Sequence, residues 1–304
     1  MENCSHIPPI AAAIQQAQTP LLREGIFIKK QKDIPYGTLF EVEGQDSTAK
    51  ITLYHSKKKG LSAVDNSKSP LSRTALDYIL QRKAVQFRPC IGTDEAGKGD
   101  LFGPLVCCGF FVETSAMADE LRDLGVMDSK RLKDDKIAAI AQKLQKRWPR
   151  HYSLVAPKME TYNQLYKNIQ NLNKLLGWMH GRVIADLYEE FRKENVHIPC
   201  AVADKFGPVE HIINSVGGLD SIAITAETRG EEKEISIAAA SIIARSVFVR
   251  KIHALSREYG MSFPLGCADR VIPVAQKYCE THGYNTIFKV LKTHFKTVKK
   301  LQRT

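Results

Sequence analysis

The sequence has no run approaching the roughly twenty apolar residues of a membrane-spanning helix. Its opening stretch, MENCSHIPPIAAAIQQAQTP, does not pair a basic segment with a long apolar one, as a secretion signal does. Cysteine is sparse, seven in 304 residues. Neither CxxC spacing nor a disulfide framework emerges from those positions, which excludes a cysteine zinc site and a disulfide scaffold. Reduced thiols in a cytoplasmic chain are the expectation. Solenoid repeats and long low-complexity tracts are also lacking. Negative charge is in deficit, with 33 Asp and Glu against 44 Lys and Arg, a formal charge of +11. That balance favours a polyanionic partner.

What is present divides into two parts. The first reads as a short helix, IAAAIQQAQ, then β segments EGIFIKK, TLFEVEG, AKITLYHS and LSAV, with turns at Pro35, Gly37, Gly44 and KKKG. A helix with Ser69 or Ser72 as cap closes this small α+β unit. The pattern predicts a boundary between residues 82 and 83 and a larger domain over 83–304. That domain opens with apolar strands RPCIGTD, PLVCCGFFVE and HYSLVAPK, the helix DDKIAAIAQKLQKRW lying between the last two. In NLNKLLGWMHGRVIADLYEEFRK, Leu172, Leu175, Leu176, Met179, Val183 and Leu187 form a core-facing helical stripe. Strand IPCAVAD, helix VEHIINSV, strand SIAITAE, an alanine-rich helix and a basic helical tail from about Thr286 follow. Three β elements and then α-β-α-β-α predict an α/β mixed sheet covered by helices.

GTDEAGKGD, residues 92–100, contains the phosphate-loop pattern in Gly92, Gly97 and Lys98. That motif needs a hydroxyl after the lysine and a helix N-terminus facing the phosphates. Gly99 holds the hydroxyl position, Gly103 and Pro104 oppose a helix, and Asp94 and Glu95 would repel phosphate. Adjacent acids at a strand end suggest a divalent cation instead. Asp204 ends a later strand. If the two strands are parallel neighbours, their C-terminal ends share one crevice. Glu227, Glu231, Glu232 and Glu234 lie just beyond, in AETRGEEKE. Clustered carboxylates need a counter-ion, and magnesium or manganese with oxygen ligands supplies it. Asp94, Glu95, Asp204 and one of these glutamates suit two metals acting on a phosphodiester.

GTDEAGKGDLFGPLV, GVMDSKRL, YNQLYKNIQNLNKLLGWMH, ADKF and IAAASIIAR together resemble ribonuclease HIII, of the type 2 ribonuclease H family. The resemblance implies a ribonuclease H-like mixed five-stranded sheet flanked by helices. It implies a small N-terminal domain similar to the TATA-box-binding-protein fold, as a substrate grip. Carried over residue by residue, it makes Asp94, Glu95, Asp204 and Glu231 the catalytic metal ligands, with Asp94 on both ions. Glu232, one position on, is the alternative fourth ligand. Gly97, Lys98 and Gly99 would read ribose 2′-hydroxyls by close backbone approach, and Ser129 and Lys130 would hold a phosphate or form a capped turn. Tyr162, Asn163, Asn168 and Asn173 stand as substrate contacts or caps, and His180 as a packed residue. The implied activity is hydrolysis of the RNA strand of RNA–DNA hybrids by a monomer using Mg2+ or Mn2+. A nucleic-acid-binding protein with a vestigial metal site and a phosphoryl-transfer ATPase of related fold are the alternatives.

Overall fold

The computed structural model describes residues 7–44, 47–56, 60–80, 87–217, 219 and 221–301. The chain divides after Phe87 into two compact units; the expected boundary at 82 and 83 lies outside the described residues.

In the first unit, α1 (Ile7–Arg23) outlasts the helix expected from sequence. Ile10, Ala13, Ala17 and Leu21 continue one buried stripe into its last turn. Strands β1 (Phe27–Ile34), β2 (Gly37–Glu43), β3 (Thr48–Ser56) and β4 (Gly60–Asp65) form an antiparallel sheet in chain order. Phe40, Val42, Ile51 and Leu53 join the α1 stripe and α2 (Pro70–Ile79) in one core. Ser69 and Ser72 cap α2 reciprocally, each hydroxyl accepting from the other's backbone N–H.

The second unit is built on a five-stranded sheet. Strands β5 (Cys90–Ala96) and β6 (Val106–Val112) pair antiparallel, and α3 (Ser115–Asp123) and α4 (Asp134–Arg147) separate them from β7 (Tyr152–Val155). Helices α5 (Met159–Ile169) and α6 (Leu172–Arg192) lead to β8 (Cys200–Asp204), which is parallel to β5. Beyond α7 (Glu210–Ile213), β9 (Ala223–Glu227) pairs parallel with β8, giving the order β7-β6-β5-β8-β9. The short α8 (Gly230–Lys233), the 25-residue α9 (Ile235–Tyr259), α10 (Ile272–His282) and α11 (Val298–Leu301) complete the unit.

Every residue of β6 is buried, because helices cover both of its faces. Cys108 and Phe110 pack with α3, α4 and α9, whereas Cys107 and Phe111 pack with α6. On α6 the stripe Leu175, Leu176, Met179, Val183 and Leu187 is buried as its spacing predicts. The basic tail expected to be helical from Thr286 is not one continuous helix; among its described residues only Val298–Leu301 is α-helical. Tyr284–Lys289 is a 3-10 turn, and Leu291 makes a β-bridge to Phe102. Leu291 and Lys292 are both fully buried there, and this tertiary seat overrides helical spacing. Among the described residues, no helix is long and apolar enough to cross a membrane.

The small side chains of α9 let it lie directly on β5, and Gly92 sets the distance. A Cβ at Gly92 would stand 2.2 Å from the backbone of both Ser236 and Ile237. Since backbone cannot rotate away, Gly92→Ala is expected to destabilise the chain by about 3 kcal/mol. Urea unfolding measures this, and an unchanged midpoint would contradict the packing of α9 on β5.

Candidate active site

Parallel pairing of β5 with β8 sets Thr93 opposite Ala203, so Asp94 and Asp204 emerge together at one end of the sheet. Glu231 reaches the same point from α8. The chain enters α8 through Arg229 in a left-handed conformation, φ 55°. Gly230 then donates its N–H to Asp204 Oδ1 at 2.8 Å. A Cβ on Gly230 would sit 2.6 Å from Ile237 Cδ1 and 3.3 Å from Asp204 Oδ1, so glycine permits the approach. One carboxylate oxygen from each of Asp94, Asp204 and Glu231 lies within 4.8 Å of the other two.

Of the acids in the 227–234 stretch, only Glu231 joins this cluster. Glu232 is exposed, Glu227 pairs with Lys233, and Glu234 is half-buried beyond the helix, its carboxyl raised by burial. Glu231 is buried, its Oε2 accepting from the Ser129 backbone N–H at 2.8 Å and its Oε1 from Lys130 Nζ at 3.0 Å. Ser129 and Lys130 thus reach the site, but here their donors serve Glu231. They belong to a 3-10 turn capped by Asp128, which accepts from the Lys130 N–H.

Glu95 lines the same cleft but points its carboxylate elsewhere. It accepts from His180 Nε2 at 3.1 Å and pairs with Lys98 Nζ at 3.4 Å. The ring of His180 is wholly buried, and its Nδ1 lies 2.8 Å from Thr93 Oγ1. In the neutral tautomer donating to Glu95, Nδ1 accepts from the Thr93 hydroxyl. His180 is therefore packed, as expected, and also orients an acid of the site. Its position on a continuous apolar stripe concealed that second role, since nothing local in the sequence links it to Glu95.

The charges are unequally compensated. Burial pushes the Asp94 carboxyl well above the usual carboxylate range, and the Glu95 charge adds to the effect. Burial raises Asp204 as well, against the Gly230 N–H and Lys130. On Glu231 burial also acts upward, but Lys130 and the Ser129 N–H outweigh it and hold the carboxyl below its ordinary value. Glu95 is likewise lowered, its burial outweighed by His180 and Lys98. Crowded carboxylate oxygens, with Asp94 and Asp204 both raised by burial, are the donor set that a hard divalent cation satisfies. Lys98, Lys130 and Arg245 stand among the residues lining the cleft, whose volume is about 590 Å³.

Gly97 has φ 89°, and a Cβ there would lie 2.5 Å from Pro104 O and 2.8 Å from Phe248 Cε2. A Cβ at Gly99 would meet nothing within 4 Å. Gly97 is thus packed against Pro104 and Phe248 while Gly99 is open, and Gly97, Lys98 and Gly99 all line the cleft. No helix follows this turn; the chain passes through bends into β6, which removes the phosphate-loop geometry. Tyr162, Asn163, Asn168 and Asn173 do not line the cleft. Tyr162 is buried, Asn163 binds the backbone of Phe288, Leu291 and Thr293, Asn168 accepts from Gln164, and Asn173 abuts Gly207.

The sequence model of the ribonuclease HII family matches residues 91–298. The ribonuclease HIII of Chlamydia pneumoniae is 31% identical over 281 residues, covering 91% of this chain and 91% of that one. That of Chlamydia trachomatis serovar L2 is 32% identical over 274 residues, 87% of each. Among solved structures, Bst-RNase HIII in complex with Mn2+ has the same fold, with a TM-score of 0.67 at 22% identity over 95% of this chain and 96% of that one. Relatedness along nine-tenths of the chain, joined to the mixed sheet and its acidic crevice, places the protein in the ribonuclease HII family, with the ribonuclease HIII enzymes, and makes it a ribonuclease H.

Proposed function

We propose that this ribonuclease H cuts the RNA strand of RNA–DNA hybrids internally, at a site for two divalent cations, leaving 3′-hydroxyl and 5′-phosphate ends. The observation that supports it most is the convergence of Asp94, Asp204 and Glu231 within 4.8 Å. Asp94, Asp204 and Glu231 would hold Mg2+ or Mn2+, with Glu95 as the fourth carboxylate. Bound there, the cations would supply charge stabilisation and an acidified water. In the overall hydrolysis a water oxygen bonds to phosphorus, the bond to the 3′ oxygen breaks, and that oxygen takes up a proton.

The chain's own residues bind and orient. Lys98, Lys130 and Arg245 offset the phosphate charge that approaches the acids. The backbone of Gly97, Lys98 and Gly99 contacts consecutive riboses, whose 2′-hydroxyls distinguish RNA from DNA. His180 holds Glu95 at the edge of the cluster. In this reading the enzyme acts as a monomer, as the resemblance implies. Incubation of labelled hybrid, RNA duplex and DNA duplex with Mg2+ or Mn2+, followed by end analysis, tests it. Cleavage of the hybrid alone with 5′-phosphate products is expected; tight hybrid binding without cleavage in either metal would instead support a vestigial site.

The first unit is proposed as a second grip on the duplex. Lys29, Lys32 and Lys50 are exposed on its strands; the Lys30 side chain and Lys57 to Lys59 lie outside the described residues. Phosphate contacts add affinity that falls with salt and carries no base specificity. The second unit has its own cores, so a chain starting at Arg88 should fold. Its KM for hybrid should rise about tenfold and its salt dependence flatten. Unchanged KM and salt slope in the folded truncation would remove this role.

A further inference from the structure

One buried charge in the second unit has no part in the chemistry above. Lys292 is fully buried, yet it does not line the cleft. Its Nζ donates to the carbonyls of Asp100 at 2.8 Å and Gly103 at 2.6 Å. The rings of Tyr162 and Phe295 lie 5.7 and 6.0 Å from it. Burial pushes its ammonium down to about 7, against the charge of Asp100. Methionine would fill similar space without that desolvation cost. What methionine lacks is the pair of hydrogen bonds.

Those bonds end on the segment that closes the glycine-rich turn. Residues 290–292 run beside 101–103, with the Lys292 N–H donating to Leu101 O at 2.9 Å and the Gly103 N–H to Val290 O at 3.0 Å. Asp100 Oδ1 accepts from the Gly266 N–H at 2.6 Å. From the far side, Asn163 holds the strap by donating to Phe288 O at 2.8 Å and Leu291 O at 2.9 Å and accepting from the Thr293 N–H at 3.0 Å. Glycines at 97, 99 and 103 leave the intervening backbone conformationally free, so its shape must come from outside.

We propose that Lys292 is a positioning residue, pinning the carbonyls of Asp100 and Gly103 so that Gly97–Gly99 meets the RNA strand in one fixed shape. The inference rests on the reading above that this turn contacts the hybrid. It predicts a loss specific to hybrid recognition, because hydrogen bonds made away from the cleft act through the turn.

The test uses the full chain with Lys292→Met, at a temperature where circular dichroism shows it folded. KM for hybrid should rise about tenfold, while kcat and the affinity for a DNA duplex of the same sequence each stay within about twofold. Equal losses on hybrid and DNA duplex, or an unchanged KM, would overturn the proposal. Gly99→Val separates it from the underlying reading, because a Cβ there meets nothing within 4 Å and the branched side chain would obstruct close approach to the backbone. If Gly99→Val leaves KM unchanged, the turn does not touch the hybrid and both ideas fail. If it raises KM and Lys292→Met does not, the Lys292 proposal fails alone. Should Lys292→Met not fold, Asn163→Ala loosens the same strap and should raise KM about threefold at constant kcat; no change there would also overturn the proposal.

Discussion

Asp94→Asn is expected to lower turnover at least about a thousandfold while leaving hybrid binding intact. The substitution preserves size and one acceptor oxygen but removes the charge at the most buried corner of the acid cluster. Asp94 is 5% exposed, so solvent cannot replace what is lost. The same change should raise the melting temperature measured in chelator. The sign follows from the raised carboxyl. A carboxyl whose folded value exceeds its unfolded one binds more protons when folded, so above its unfolded value the fold is penalised, and the penalty is complete once pH exceeds the folded value. Asparagine carries no charge and escapes the penalty, in the usual trade of stability against activity. Single-turnover assays, gel-shift binding and thermal melts check the three parts. Near-normal cleavage by the variant would sink the assignment of Asp94.

Glu231→Gln should cut turnover about a hundredfold or more, whereas Glu232→Gln should leave it within about twofold. The two residues are adjacent, yet their surroundings differ completely. Glu231 is 7% exposed and accepts from Ser129 and Lys130, while Glu232 is exposed. Glutamine at 231 would keep one acceptor oxygen but turn its NH2 towards the other of the two donors, so the Ser129–Arg131 turn should also loosen. Metal affinity by calorimetry should fall for Glu231→Gln and hold for Glu232→Gln. A reversal of the two phenotypes would move the fourth ligand to Glu232.

The strands were legible because most are short apolar runs bounded by turn residues, and the burial of β5, β6 and β8 agrees with that reading, while the edge strands β7 and β9 are only partly covered. Legibility failed where a segment's conformation depends on a distant seat. Helix α1 continues to Arg23 because Leu21 reaches the first unit's core. The tail after Thr286 runs as a strap before α11 because Leu291 bridges Phe102 and Lys292 finds two carbonyls.

For the site, local sequence shows which residue types are on hand and roughly where: paired acids closing a strand, a third acid closing another, and a run of glutamates before a helix of small residues. Chain-local chemistry suffices for that, since strand ends, glycine turns and small-residue helices are short-range properties. Tertiary structure alone decided which of these side chains meet. The parallel register of β5 and β8 joins Asp94 to Asp204 across more than a hundred residues of chain, and a left-handed Arg229 with a close-packed Gly230 aims Glu231 inward and Glu232 outward. His180 reaches Glu95 only because α6 packs beneath β5. Contacts of that range depend on register and packing, which no window of sequence contains.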